Sequence, residues 1–244
     1  MKMRYLVSIL LVWPLLWGSF ITDNISAEEV LSFAIGEWAP FTGKELPSFG
    51  LISSVVQEAC AKAGITPRFD FFPWPRAEYL VKTGRYFATF PYLHIPEREQ
   101  SFYFSDPLFR SQLIIITMKN NKKTEHFEYG GGPEALKPFR IGTTAGSYAV
   151  IYPLKRAGVV IEESNTIDLA IQKLYSGRLD FIIDEYRVAK DAIQRLYAAK
   201  EDRFVFLNRP FADQLEYRLL VSKNYPDALE ILERLNKALL ELQH

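Results

Sequence analysis

The stretch FATFPYLHIPEREQSFYFSDP, residues 87–107, limits the fold more than any other part of this chain. It reads as a buried apolar strand, then a polar turn carrying Arg98, then a Ser-Asp-Pro stop. In an open α/β sheet, a strand whose carboxyl end opens into such a loop is where a small ligand is held. A guanidinium there can grip a carboxylate through two parallel hydrogen bonds. The same spacing also fits a solvated surface turn in which Glu97 or Glu99 pairs with Arg98.

On either side the chain alternates strand and helix patterns. A strand at 31–35 ends in the turn Gly36-Glu37-Trp38-Ala39-Pro40-Phe41. Apolar positions 51, 52, 55, 56, 59, 60 and 63 then mark one face of a helix closed by Gly64. A strand at 67–72 follows, and Pro75 suits the first turn of a helix that Gly84 ends. After a strand at 113–118 and a polar, glycine-rich loop the order restarts. A strand at 140–143 leads through Thr144-Ala145-Gly146-Ser147 into a helix, and a short strand falls at 159–161. Asn165 or Thr166 caps a helix with apolar positions 167, 170, 171 and 174, closed by Gly177. A strand at 179–183 ends at Asp184-Glu185. A helix at 188–199, strands at 204–207 and 216–221 and an amphipathic helix at 226–242 complete the pattern. Superposing Gly84 on Gly177 sets Pro91 and Tyr92 opposite Asp184 and Glu185, each pair just past a buried strand. Two α/β halves with facing strand ends enclose a cleft.

The amino terminus reads as a secretory leader. Lys2 and Arg4 precede an uncharged apolar run from Tyr5 to Ile21, and Ile25-Ser26-Ala27 offers a cleavage site after Ala27. Residues 1–27 are therefore expected to be a signal peptide and the protein to be periplasmic; an uncleaved anchor is the alternative. Cys60 is the only cysteine, so no intrachain disulfide forms despite an oxidising compartment. With 29 basic and 29 acidic side chains the chain lacks the basic excess that nucleic acid requires. His94, His126 and His244 have no metal-ligand spacing, and Gly130-Gly131-Gly132 lacks the lysine of a phosphate loop. No cofactor is expected.

Pro96-Glu97-Arg98 followed by Phe104-Ser105-Asp106-Pro107 resembles the T-P-E-R-x-x-x-x-x-F-S-x-P segment of bacterial extracellular solute-binding proteins of family 3. Trp38-Ala39-Pro40-Phe41, Ile141-Gly142…Gly146-Ser147 and Ser176-Gly177-Arg178-Leu179-Asp180 extend the resemblance over nearly all of the chain after the leader. It implies the α/β, two-lobe type II periplasmic binding protein fold with a hinge of two crossing strands. Lobe 1 would take residues 28–112 plus 212–244, and lobe 2 residues 113–211. The crossing strands would run over 113–118 and 216–222.

The resemblance also implies a site in the cleft. Arg98 and the Gly146-Ser147 turn would hold a ligand carboxylate, and Glu185 or Asp184 an ammonium. Trp38, Pro91 and Tyr92 would surround the side chain. The residue readings alone leave Trp38 as a core tryptophan, Ser147 as a helix cap, and either acid as a partner of Arg187 or Arg178. Several positions depart from the family. Leu93, His94 and Ile95 replace small hydroxyl residues, and Phe87 replaces an aspartate. Gly50-Leu51-Ile52-Ser53-Ser54 replaces an acidic segment. A more aromatic cleft is expected, with Phe90, Tyr92, Trp74 and Tyr148 lining it.

The function these readings imply is capture of an amino acid or related carboxylate for transport or sensing, without catalysis. The expected protein is a monomer that serves an ABC permease or a signalling receptor. The alternative is an enzyme similar to the periplasmic cyclohexadienyl dehydratases, with Glu185 as a cleft acid. A protein-interaction role with an inactive cleft is a third reading.

Overall fold

The computed structural model describes residues 29–242; the expected leader, including Ala27, lies outside the described residues. The first half contains β1 (Glu29–Ile35), α1 (Leu51–Lys62), β2 (Ile65–Phe71), α2 (Trp74–Lys82) and β3 (Ala88–Leu93). Short β4 (Phe102–Phe104) and long β5 (Phe109–Met118) lead onward. The second half contains β6 (Ile141–Thr144), α3 (Tyr148–Arg156), β7 (Ile161–Ser164), α4 (Ile167–Tyr175), β8 (Phe181–Glu185), α5 (Tyr186–Tyr197) and β9 (Phe204–Phe206). The chain returns through β10 (Ala212–Ser222) to α6 (Ala228–Leu242).

All strands join in one sheet of order β2-β1-β3-β10-β5-β8-β6-β7, with β4 on β10 and β9 on β5. In the first half β1 runs parallel to β2 and β3; in the second, β6 runs parallel to β7 and β8. The strand-helix-strand unit is thus used twice with the same neighbour order. The glycines that align the two units, Gly84 and Gly177, both lie in the left-handed region, at φ 74° and 73°. Each ends a helix there without the penalty a side chain would bring.

Helices cover both faces of each half. On one face of the first half Leu31, Phe33 and Ile35 pack with Ile52 and Val56 of α1 and Leu235 of α6. On the other, Ala34 packs with Ala77, Leu80 and Val81 of α2. In the second half Ile114, Ile116 and Ile182 face α4 and α5, while Leu113, Ile115 and Phe181 face Val150 and Leu154 of α3. Strands buried on both faces read as continuous apolar runs.

The crossing strands begin earlier than their apolar runs indicate. β5 and β10 pair through Phe109↔Tyr217, Arg110↔Glu216, Ser111↔Leu215 and Leu113↔Ala212. Beyond this, Ile114 to Ile116 of β5 pair with β8, and Arg218 to Val221 of β10 pair with β3. The mutual pairing therefore falls at 109–113 and 212–217, among the polar residues Arg110, Gln112, Asp213 and Gln214. These are solvent-accessible and so carry no hydrophobic signal. An irregularity between Ala212 and Leu215 places Gln214 at φ 54°. Among the described residues, no helix is long and apolar enough to cross a membrane.

Candidate functional site

The carboxyl ends of β1, β3, β6 and β8 carry the expected site residues. After β1, the Trp38 N–H donates to the Thr42 carbonyl and the Phe41 N–H to the Trp38 carbonyl, which closes a tight turn. Trp38 is half-buried, 4.7 Å from the ring of Phe41 and 5.3 Å from that of Tyr217 on β10. It is therefore a surface of an aromatic cluster rather than a core tryptophan.

At the end of β3, Pro91 and Tyr92 are buried, and the Tyr92 ring lies 4.6 Å beneath the Arg98 guanidinium. Arg98 Nη2 donates to Glu78 Oε2 of α2 at 3.2 Å, not to the neighbouring Glu97 or Glu99. Glu99 instead meets the His94 ring at 2.6 Å. The Arg98 side chain is 20% exposed, and its Nε is buried without an acceptor. The guanidinium is thus held by stacking on Tyr92 and by one carboxylate, and one of its donors has no acceptor.

In the second half, Gly146 (φ 82°) and Ser147 open α3. The Ser147 hydroxyl makes no capping bond, so the helix-cap role expected from its residue type is not used. The next residue, Tyr148, is exposed and has its hydroxyl pushed up by partial desolvation and by the charges of Glu97 and Tyr152, with Arg98 opposing.

Asp184 and Glu185 are both buried, at 4% and 2% exposure. Thr144 Oγ1 donates to Asp184 Oδ2 at 2.6 Å, and the Glu185 N–H donates to Asp184 Oδ1 at 2.8 Å. Glu185 accepts from the Ser111 hydroxyl on β5 and, as the cap of α5, from the Val188 N–H at 2.8 Å. Neither acid pairs with Arg178 or Arg187; the Arg187 guanidinium lies over the Phe109 ring at 5.1 Å. Burial raises the pKa of both carboxyls against these hydrogen bonds, and for Glu185 the Asp184 charge adds to the rise. The Tyr217 phenol is pushed up by burial first and then by the charges of Glu185 and Asp184.

The structure thus brings Trp38 together with Tyr217, Tyr92 with Arg98, and Asp184 with Glu185 and Thr144. Phe90 is not at a surface: fully buried, it packs against Phe33 and Phe69. Trp74 packs on Gly36, where a Cβ would meet its ring at 2.4 Å, and edge-on against Tyr92. Sequence reasoning passed over Tyr217, Thr144, Ser111 and Glu78. Of these only Thr144 carried a signal, as a hydroxyl residue at a strand end facing the acids.

Over close to nine-tenths of its length the chain matches solved structures in shape. An ancestral arginine-binding protein bound to arginine superposes with a TM-score of 0.69 at 22% identity, covering 88% of this chain and 92% of that one. An arginine 3rd transport system periplasmic binding protein from Legionella pneumophila gives 0.69 at 19% identity, covering 88% and 94%. The GluR0 ligand-binding core from Nostoc punctiforme in complex with L-glutamate gives 0.66 at 22% identity, covering 87% and 92%. No protein-family model and no curated protein matches the chain. The fold is the two-lobe α/β fold of the periplasmic binding proteins, its halves joined by two crossing strands.

Proposed function

We propose that this chain is an exported, monomeric solute-binding protein that takes an amino acid or related carboxylate between its halves. Its lobes are residues 28–112 plus 212–244 and residues 113–211, and residues 1–27 are its signal peptide. The observation that carries the reading is a charge arrangement. One half presents two buried carboxyls, Asp184 and Glu185, with no basic side chain among their hydrogen-bond partners. The other presents Arg98 with a buried, unaccepted Nε–H. Buried charges call for partners, and an amino acid brings an ammonium for the acids and a carboxylate for the arginine. The Gly146-Ser147 turn shares the carboxylate through its N–H groups; Trp38, Pro91 and Tyr92 contact the ligand side chain. Contact with both halves favours the closed form, which is how such a ligand biases a hinge.

Solved proteins of the same fold bound to arginine, glutamine or glutamate support this reading. They are binding proteins rather than enzymes, and the role fits delivery to an ABC permease or a signalling receptor. The test is native mass spectrometry of protein purified from the periplasm, with release and identification of the bound molecule. A stoichiometric amino acid is expected. Arg98→Ala should then weaken its binding by about 2–5 kcal/mol, the usual loss when one partner of a desolvated charge pair is removed. Unchanged affinity in that variant refutes the site. Turnover of prephenate or arogenate, the dehydratase outcome, would refute the non-catalytic reading.

A further inference from the structure

One helix supports Arg98 twice. Trp74 and Glu78 stand four residues apart on α2, and so on one face of it. Both are half-buried. Trp74 lies edge-on to the Tyr92 ring at 5.7 Å, and the Arg98 guanidinium lies over that ring at 4.6 Å. Glu78 Oε2 accepts from Arg98 Nη2 at 3.2 Å. A single turn of helix therefore braces the ring and grips the guanidinium that rests on it. The helix is itself fixed, because Ala77, Leu80 and Val81 pack with Ala34 of β1 and Leu220 of β10. Among the described residues the Glu78 side chain makes no other ion pair or hydrogen bond, and no other carboxylate pairs with Arg98.

We propose that Glu78 is a positioning residue of the cleft, which orients the Arg98 guanidinium for the ligand carboxylate. The inference rests on the carboxylate-binding role given to Arg98 above. An arginine side chain that must order itself around a ligand loses rotamer freedom, and this loss is subtracted from the affinity. A guanidinium already fixed by a ring and an acceptor has lost that freedom before the ligand arrives. Of its five N–H donors Glu78 takes one. Nε, buried without an acceptor, is among those left for the incoming carboxylate.

The test is calorimetric titration of L-arginine, L-glutamine and L-glutamate into wild type, Glu78→Ala and Glu78→Gln, after release of any bound molecule. Alanine and glutamine are strong helix formers, so α2 is retained in both variants. The expected result is saturable binding of at least one of the three by wild type and at least tenfold weaker binding by Glu78→Ala. Glu78→Gln, which keeps an acceptor at the same place, should recover most of that loss. Unchanged or tighter binding in Glu78→Ala would make Glu78 a bystander or a competitor of the ligand and overturn the proposal. Equal losses in the two variants would assign the effect to the charge of the carboxylate rather than to its grip, and overturn it also. Either outcome leaves amino-acid binding itself standing. A wild type that binds none of the three would remove the amino-acid reading of the cleft and overturn this proposal with it.

Discussion

Asp180 joins the loop after β5 to the start of β6. Its carboxylate accepts from the Arg140 backbone N–H, from Arg140 Nε and Nη2 at 3.1 and 2.7 Å, and from Asn121 Nδ2. Burial alone would raise its pKa, but the Arg140 hydrogen bonds and charge prevail and hold it at about 2. A carboxyl depressed on folding contributes stability above its unfolded value, near 3.9, and loses it as pH falls through the folded value. Chemical denaturation between pH 6 and pH 2 should show this loss concentrated below pH 4. Asp180→Asn should cost about 2 kcal/mol at neutral pH, in line with hydrogen bonds to charged groups, and should flatten that part of the profile. An unchanged profile in the variant would assign the acid sensitivity elsewhere. Cys60 makes a second residue-scale case: burial pushes its thiol up to about 12. A thiol reagent at pH 8 should leave the native protein unlabelled and react once urea unfolds it. Arg98 was legible from its local motif, whereas its partner Glu78 was not. That contact spans twenty residues of sequence and exists only because α2 packs beside β3.

At the scale of elements, ends were easier to read than faces. Thr166 accepts from the Leu169 N–H at 3.2 Å and caps α4, which settles the choice between it and Asn165. Thr166→Ala should lower stability by about 1 kcal/mol, the usual worth of an N-cap, measurable as a shifted urea midpoint with an unchanged slope. Faces were harder because strand alternation breaks at the site. Tyr92 pairs with Arg218 and Thr89 with Leu220, so three residues of β3 advance against two of β10. Such an extra residue reverses which side the following side chains take. Phe90 accordingly joins the core with Phe33, while Tyr92 emerges on the face with Ala34 beneath Arg98. At the two acids the strand keeps its register: Asp184 and Glu185 pair with Ile114 and Leu113 of β5. β8 is buried throughout, and Glu185 caps α5. Both carboxyls consequently remain among polar partners at the strand end.

For the whole molecule, the repeated helix-glycine-strand order agrees with the two units of equal neighbour order in the sheet. It did not foretell how the halves meet, since that rests on Tyr217, Ser111 and Phe109, residues of strands chosen for crossing rather than for chemistry. The meeting has a consequence for binding. Burial raises the pKa of Asp184 and Glu185, so the free protein retains protons on them to higher pH than the unfolded chain does. These groups favour the free fold at low pH and cease to as pH rises through the raised values. An ammonium placed beside them stabilises the ionised form and lowers those values. Amino-acid binding should therefore release protons, and affinity should climb with pH through the free-protein values and level off above them. Calorimetry of the identified ligand in two buffers of different ionisation enthalpy measures the release directly. Asp184→Asn and Glu185→Gln, compared with wild type, divide it between the two carboxyls. Proton uptake on binding, or a release that survives in both variants, would mean that the ammonium sits elsewhere in the cleft.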